Sequence, residues 1–301
     1  MIQNTIKYAA GILTAFVVIA TFSQTTYAQQ QLDEPQSSSA SLNWSGYVAN
    51  ANSASDSYTS VTGTWVVPSV SSATSGTADA TWVGIGGVQS QDLIQEGTQA
   101  IVDGGTVTYS AWIETLPGYS KTVPLAVQSG DSITATLTEE SPGEWLVDIR
   151  DNTSGNEYTK TVAYNSSHSS AEWVEEMVSN GDGSFRPLDS FGSVGFTGAA
   201  ATVNGTSKNL TQLGAQPLKM VSGGQTVAST SVIGSDNQSF TVTRTTVAVA
   251  TPQQRQYSTY SGQVPVTTIT VVRHHHGYGR SYTNGSYSVI GIPLNFTIIK
   301  L

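Results

Sequence analysis

The chain has 301 residues and a formal net charge of −9, and only 11% of its residues are charged. That fraction is well below the roughly 25% of an average soluble domain, whereas 38% apolar residues suffice for a core, which excludes wholesale disorder. No lysine or arginine occurs between Lys7 and Lys121, so the basic patch of a nucleic-acid-binding protein is missing there.

The first residues have the pattern of a secretory signal. Lys7 precedes an apolar stretch at residues 8–22, and Thr26-Tyr27-Ala28 offers small residues for cleavage. The apolar stretch is shorter than the about 20 residues that span a bilayer, which favours cleavage over a membrane anchor. We therefore expect a signal peptide at 1–28, a secreted extracellular protein, and a linker or short pro-segment at 29–41.

From residue 43 onwards, short runs of alternating or β-branched residues recur between Gly, Ser and Asn turns. Examples are residues 61–67, 133–137 and 240–243, and no long helical pattern interrupts them. This pattern predicts an all-β sandwich or barrel. We assign residues 42–245 to one such domain.

The charge reverses after this domain. Residues 29–245 contain 21 acidic and 7 basic residues, whereas residues 246–301 contain four basic residues and no acidic one. We treat 246–301 as a β-rich basic appendage of unknown role, with a β-like run at 266–272 followed by His274, His275 and His276. Adjacent strand residues point to opposite faces, which disfavours a metal site there. Their charge at acidic pH favours contact with the acidic domain or with an anionic cell surface.

Several catalytic mechanisms are excluded by the motifs that the sequence lacks. It has no HExxH zinc motif, no GxSxG nucleophile elbow, no phosphate-binding GxxxxGK[ST] loop and no cysteine. His168 is the only histidine before residue 274, so a Ser-His-Asp triad would depend on a single residue in a Ser-rich loop. Carboxylates, amides and aromatic side chains remain as candidates.

Alternation places several of these candidates on common strand faces. Within 109–114, one face carries Ser110, Trp112 and Glu114, and within 171–176 Glu172 and Glu176 share a face. Trp82 and Gly84 alternate in the same way within 81–87. By spacing alone, however, each glutamate is more often a solvated strand residue than a catalytic group.

Seven sequence blocks, in order and covering about residues 42–245, resemble the eqolisin-type glutamic peptidases. The most informative are Ile94-Gln95-Glu96-Gly97 and Ala171-Glu172-Trp173-Val174-Glu175-Glu176, and the others lie at 43–47, 61–68, 81–87, 109–114 and 191–197. The resemblance implies an antiparallel two-sheet β-sandwich of the concanavalin A-like jelly-roll kind. It also implies a secreted acid endopeptidase that acts on polypeptides, needs no metal or cofactor, and is a monomer.

The resemblance also assigns roles to residues. The catalytic pair of the family falls on Gln95 and Glu176, with Glu172 and Glu175 as neighbours, and the substrate groove falls on Trp82, Trp112 and Glu114. The chemistry suits these residue types, because a glutamate carboxylate titrates near pH 4 and can take a proton from water in acid. A glutamine amide never titrates, so it can donate to the oxyanion of the tetrahedral intermediate at any pH.

Three positions depart from the pattern that the resemblance leads us to expect. Acidic residues are expected at Gly86, near Gln99 and at Ser110, and all three residues here are neutral. We expect these changes to bear on the optimum pH rather than on the type of reaction.

Two other functions fit the same residues. A glycoside hydrolase would use Glu114 and Glu176 as its pair of carboxylates. A sugar-binding or adhesive module would instead use Trp82 and Trp112 as a stacking platform, with no chemistry.

Overall fold

A computed structural model describes residues 38–88 and 90–245, and also the backbone of two short strands at 266–270 and 286–290. The predicted signal peptide at 1–28 and the histidines at 274–276 lie outside these residues. None of the helices in the described part of the chain is long and apolar enough to cross a membrane.

The described residues form eighteen β-strands and one short helix. They are β1 Ser39–Ser41, β2 Trp44–Asn50, β3 Tyr58–Val66, β4 Thr77–Gly86, β5 Leu93–Asp103, β6 Thr106–Thr115, β7 Lys121–Thr122, β8 Ser132–Ser141, β9 Glu144–Asp151, β10 Glu157–Ala163, β11 Ser170–Glu176, β12 Ser193–Val203, β13 Thr206–Asn209, α1 Leu210–Leu213, β14 Gln216–Ser222, β15 Gln225–Thr230, β16 Phe240–Arg244, β17 Val266–Thr270 and β18 Ser286–Ile290.

Fourteen of the strands pair into one antiparallel path that contributes to both layers of a sandwich. Its order is β10-β9-β8-β3-β12-β16-β15-β14-β2-β11-β4-β5-β6-β7. We call β2, β11, β4, β5 and β6 the groove sheet, and β9, β8, β3, β12 and β16 the back sheet. The prediction of an all-β antiparallel sandwich is confirmed, and the predicted runs at 61–67, 133–137 and 240–243 fall in β3, β8 and β16.

One large apolar core lies between the two sheets. Ile85, Ile94 and Trp173 enter it from the groove sheet, and Val61 and Leu137 enter it from the back sheet. Two indole hydrogen bonds cross the core: Trp173 Nε1 donates to Thr62 O at 2.7 Å, and Trp65 Nε1 donates to Thr98 Oγ1 at 2.9 Å. Because alternate residues of each strand enter the core, the remaining residues of the groove sheet form a second, outward face.

On the outer face of the back sheet, hydroxyl groups provide hydrogen bonds that charged residues could otherwise provide. Threonine hydroxyls pair across neighbouring strands there, as in Thr62 with Thr136 at 2.8 Å and Thr64 with Thr134 at 2.7 Å. Such pairs satisfy the polar atoms of a strand surface without ion pairs.

Three short strands lie in the segments that flank the predicted domain in the sequence. β1, in the segment predicted as a linker or pro-segment, pairs in parallel with β14, and Ser41 Oγ accepts a hydrogen bond from Trp44 N at 3.1 Å. In the predicted appendage, β17 and β18 pair with each other in antiparallel orientation.

Candidate active site

The outward face of the groove sheet brings together the residues singled out from the sequence. Cross-strand partners in a sheet share a face, and the register defines three rows of partners on this one. The rows are Glu172–Gly84–Gln95–Glu114, Val174–Trp82–Gly97–Trp112 and Glu176–Ala80–Gln99–Ser110, each running across β11, β4, β5 and β6. Gln95, Glu114, Trp82, Trp112 and Glu176 therefore all lie on this face, which we call the groove face.

The register also shows that Gln95 and Glu176 are not direct cross-strand partners. They lie two strands and two rows apart, and the row between them carries Trp82. Glu172, rather than Glu176, is in line with Gln95 through Gly84. The two groups are therefore placed on either side of the central indole.

The carboxylate of Glu176 is held by donors from two neighbouring strand regions. Asn43 Nδ2 donates to Oε1 at 2.8 Å, and Trp82 Nε1 donates to Oε2 at 2.7 Å. Asn43 immediately precedes β2, whose first residue, Trp44, is the partner of Glu176 in the sheet. A carboxylate has about four lone-pair sites, so these bonds fix its orientation and leave acceptor capacity for a water molecule.

The amide of Gln95 is oriented by Glu114. Gln95 Nε2 donates to Glu114 Oε2 at 2.6 Å. The amide nitrogen carries two hydrogens, so one remains for another acceptor. Gln95 Oε1 is buried and has no hydrogen-bond partner among the described residues.

Three tryptophans form an apolar floor around these polar groups. Trp44 and Trp82 meet edge to face, with ring centroids 4.9 Å apart, and Trp112 belongs to the same cluster of buried side chains. Gly97 makes this packing possible, because a Cβ there would lie 2.2 Å from Thr81 O and 2.6 Å from Trp82 Cβ. A low-dielectric floor of this kind strengthens hydrogen bonds to the polar groups above it.

The floor is more deeply buried than the sequence led us to expect of groove walls. Trp82 and Trp112 are 0% exposed, and Gln95 and Glu176 are each 1% exposed.

Glu172 is a further carboxyl group on the groove face. It is 0% exposed, and burial raises its pKa well above the usual range, while a hydrogen bond from Ser170 opposes the shift and the charge of Asp92 adds to it. Neither of its oxygens has a donor with good geometry among the described residues. Because its pKa is raised, this group favours the neutral form.

The three departures from the expected acidic pattern have clear structural settings. Gly86 has φ +91°, and a Cβ there would lie 2.7 Å from Asp92 O, so the local backbone suits glycine rather than an acid. Gln99 Nε2 donates to Ser110 Oγ at 3.1 Å, in the same row as Glu176. A neutral amide–hydroxyl pair thus occupies positions where acids were expected.

Sequence reasoning did not assign a role to Asn43 or to a buried acidic group around Asp79. Asn43 stands in the first of the resembling blocks, so its position was visible although its contact with Glu176, 133 residues away, was not. Among the described residues, no group of three or more His, Cys, Asp or Glu side chains is arranged to hold a metal ion.

The sequence is similar to those of a peptidase family and two of its fungal members. The sequence model of the Peptidase A4 family matches residues 42–244. Aspergillopepsin-2 of Aspergillus niger is 31% identical over 192 residues, which cover 56% of this chain and 66% of that protein. Scytalidopepsin B of Scytalidium lignicola is 32% identical over 204 residues, which cover 64% of this chain and 75% of that protein.

A solved structure agrees with these sequence matches. The crystal structure of scytalido-glutamic peptidase with a transition state analog inhibitor superposes with a TM-score of 0.58 at 27% identity. The superposition covers 68% of this chain and 98% of that one.

Proposed function

This chain belongs to the Peptidase A4 family, the eqolisin-type glutamic peptidases, and on that premise we propose that it is a secreted acid endopeptidase acting through Gln95 and Glu176. The observation that carries this proposal is the setting of Glu176, a carboxylate oriented by Asn43 and Trp82 on the same face as a fixed glutamine amide.

In the proposed reaction, Glu176 is the general base and then the general acid. Its carboxylate takes a proton from a water molecule while the water oxygen forms a bond to the carbonyl carbon of the scissile peptide. The same proton then passes to the peptide nitrogen as the C–N bond breaks, so Glu176 returns to its starting state. Such transfers by a positioned side chain contribute about 10²–10⁴-fold to a rate.

Gln95 is the proposed oxyanion donor. One hydrogen of Nε2 is engaged by Glu114, which fixes the amide plane, and the other donates to the negative oxygen of the tetrahedral intermediate. Because the register sets Gln95 and Glu176 on either side of Trp82, the scissile bond would lie over that indole, with the attacking water on the Glu176 side. Glu114 acts through Gln95 and is a positioning residue.

The two alternative functions are less well supported by the same contacts. A glycosidase needs two carboxyl groups free to act on one bond, whereas Glu114 is committed to Gln95 Nε2 at 2.6 Å. A stacking platform would use the rings of Trp82 and Trp112 and gives no role to the oriented Glu176 carboxylate and Gln95 amide.

The direct test is digestion of an unfolded protein at pH 2–5 by the wild type and by Glu176→Gln. We expect the variant to lose about 10²–10⁴-fold in rate, and a pepsin-type inhibitor to leave the wild type active. Glu144→Gln, at an exposed position on β9, is the matched control and should cleave like the wild type. Equal cleavage by Glu176→Gln and the wild type would contradict the proposal.

Secretion is supported by the signal pattern at 1–28 and is tested by sequencing the N-terminus of protein recovered from the medium. A start at Gln29 is expected, and a start at Met1 would contradict it. The cell-surface role of the appendage is tested by truncation after residue 245. Retention on cells should fall, and unchanged retention would dismiss that role.

A further inference from the structure

Three carboxyl groups that the proposed reaction does not use meet on the inner side of the groove sheet. Asp79 lies on β4, Glu175 on β11, and Asp189 in the connection 177–192 between β11 and β12. Their exposed fractions are 2%, 0% and 1%. We call these three residues the acid cluster and residues 177–192 the docking segment.

Hydrogen-bond donors satisfy only part of the acid cluster. Thr81 Oγ1 donates to Glu175 Oε2 at 2.7 Å, and Ala100 N donates to Asp79 Oδ1 at 3.0 Å. The other oxygens, Asp79 Oδ2, Glu175 Oε1 and both of Asp189, have no donor of good geometry among the described residues. Ionised carboxylates only accept hydrogen bonds, so a cluster of three charged groups would leave these buried atoms unsatisfied.

Charge around the acid cluster favours protons over ionisation. Burial raises the pKa values of Asp79 and Glu175 well above the usual range, and the charge of Asp189 adds to both shifts. Burial also raises the pKa of Asp189 to about 7, against the opposing effects of the Phe191 N–H and the Arg244 guanidinium. Arg244 Nη2 donates to Leu188 O at 3.5 Å, so this guanidinium of β16 lies beside the residue that precedes Asp189.

A shared proton resolves the unsatisfied atoms between two strands. Asp79 lies two residues along β4 from Thr81, the cross-strand partner of Glu175, so the two carboxyl groups are diagonal neighbours on the inner face. When one of the two carboxyl groups is protonated, its O–H donates to the other. This hydrogen bond links the side chains of β4 and β11.

The acid cluster also secures the docking segment directly beyond Glu176. β11 ends at Glu176, and Leu188 takes the next place along β4 as a parallel bridge partner of Ala78. Asp189 N donates to Ala78 O at 3.2 Å, and Ala78 N donates to Pro187 O at 3.1 Å. Asp189 is thus fixed to β4 through its backbone while its carboxyl group enters the acid cluster.

We propose that the acid cluster is a proton-dependent clasp, which holds the docking segment on β4 in acid and releases it, together with the end of β11 that carries Glu176, as the pH approaches neutrality. The regulatory role of this clasp rests on the proposed function of Glu176, whereas its opening does not. Asp79, Glu175 and Asp189 are then positioning residues for Glu176.

The direction of the switch follows from proton linkage. The closed form binds more protons than the opened form between the ordinary pKa near 4 and the raised values, so closure is complete in acid and weakens as the pH rises. The ratio of the closed to the open form should fall by up to about tenfold per pH unit for each proton released.

The test is hydrogen exchange of the docking segment from pH 4 to 8, corrected for intrinsic exchange and measured in Glu176→Gln to prevent self-digestion. Protection of the amides of Arg186 and Asp189 should fall with rising pH. Glu175→Gln supplies an amide N–H donor that does not depend on pH. The pH at which half of the protection is lost should therefore rise by at least about one unit. Asp182→Asn removes an exposed acid from the same segment and is the matched control.

The outcomes separate the clasp from the proposed reaction. Flat protection in the Glu176→Gln chain, or an identical midpoint after Glu175→Gln, overturns the clasp; Asp189→Asn replaces Glu175→Gln if the latter does not fold. In the active chain, Glu175→Gln should lose cleavage at a higher pH than the wild type. If Glu176→Gln still cleaves while protection falls with pH, only the proposed reaction fails.

Discussion

Two adjacent glutamates, Glu175 and Glu176, lie on opposite sides of the same strand and have opposite surroundings. Glu176 receives hydrogen bonds from Asn43 and Trp82 on the groove face. Glu175 faces inward, where the charges of Asp79 and Asp189 oppose its ionisation. Both side chains are almost fully buried, so burial alone does not determine what a carboxyl group does. The donors around it decide whether it serves as a base or stores a proton.

After Glu176→Gln, the largest change on the groove side is expected for Gln95→Ala. Loss of a single oxyanion donor costs about 3 kcal/mol of barrier, so kcat should fall by about 10²–10³-fold with little change in folding. Initial rates on a peptide substrate at pH 3–4 measure this. Gln99→Ala removes an amide from the same strand face and is the control, and a loss there as large as for Gln95→Ala would contradict the assignment.

On the inner side, the raised pKa values predict a protein that is stable in acid and loses stability towards neutrality. Burial raises the pKa values of Glu96 and of the acid cluster on this inner side. It also raises the pKa of Glu172, which lies on the groove face. Each such group stabilises the fold below its unfolded pKa near 4, and that contribution is lost as the pH rises through the folded value, about 7 for Asp189.

Urea unfolding at pH 4, 5.5 and 7 measures this trend, and the free energy of unfolding should fall at each step. Turn aspartates act in the opposite sense, because backbone N–H donors lower the pKa values of Asp56 and Asp236. These two are fully exposed, so their effect in acid is expected to be small. A free energy of unfolding that rises from pH 4 to pH 7 is incompatible with the inner cluster as described.

A smaller effect on the groove side is expected for Asn43→Ala. The carboxylate of Glu176 keeps the hydrogen bond from Trp82 Nε1 but loses the bond of 2.8 Å from Asn43 Nδ2, so its orientation is less well fixed. We expect kcat to fall by about tenfold, equivalent to one hydrogen bond to a charged group, with KM nearly unchanged. Asn52→Ala, on an exposed turn, is the control, and parallel losses in both variants would point to folding instead.

The smallest effect is expected for Ser110→Asp, which restores an acid in the row of Glu176. A like charge on the same face disfavours ionisation, so the acid limb of the pH–rate profile should move upward by a few tenths of a pH unit. The full profile of kcat/KM measures it. A shift to lower pH would show that charges on this row do not act on Glu176.

The sandwich and the groove face could be predicted because both follow from alternation within single strands. Trp112 and Glu114, or Glu172 and Glu176, share a face whatever the rest of the chain does. The contact of Asn43 with Glu176 could not be predicted, because it depends on the register between two strands far apart in sequence. The role of Asp189 could not be predicted either. It lies in a segment without periodicity, and only the tertiary structure brings it close to Asp79.

The most direct measurement is a double-mutant cycle of Gln95→Ala and Glu176→Gln, with kcat/KM determined on one unfolded substrate at pH 3–4. Groups that act together in one transition state are strongly non-additive, so the double variant should be no slower than Glu176→Gln alone, within about threefold. Multiplication of the two single losses, or undiminished cleavage by either single variant, would contradict a shared catalytic site on the groove face.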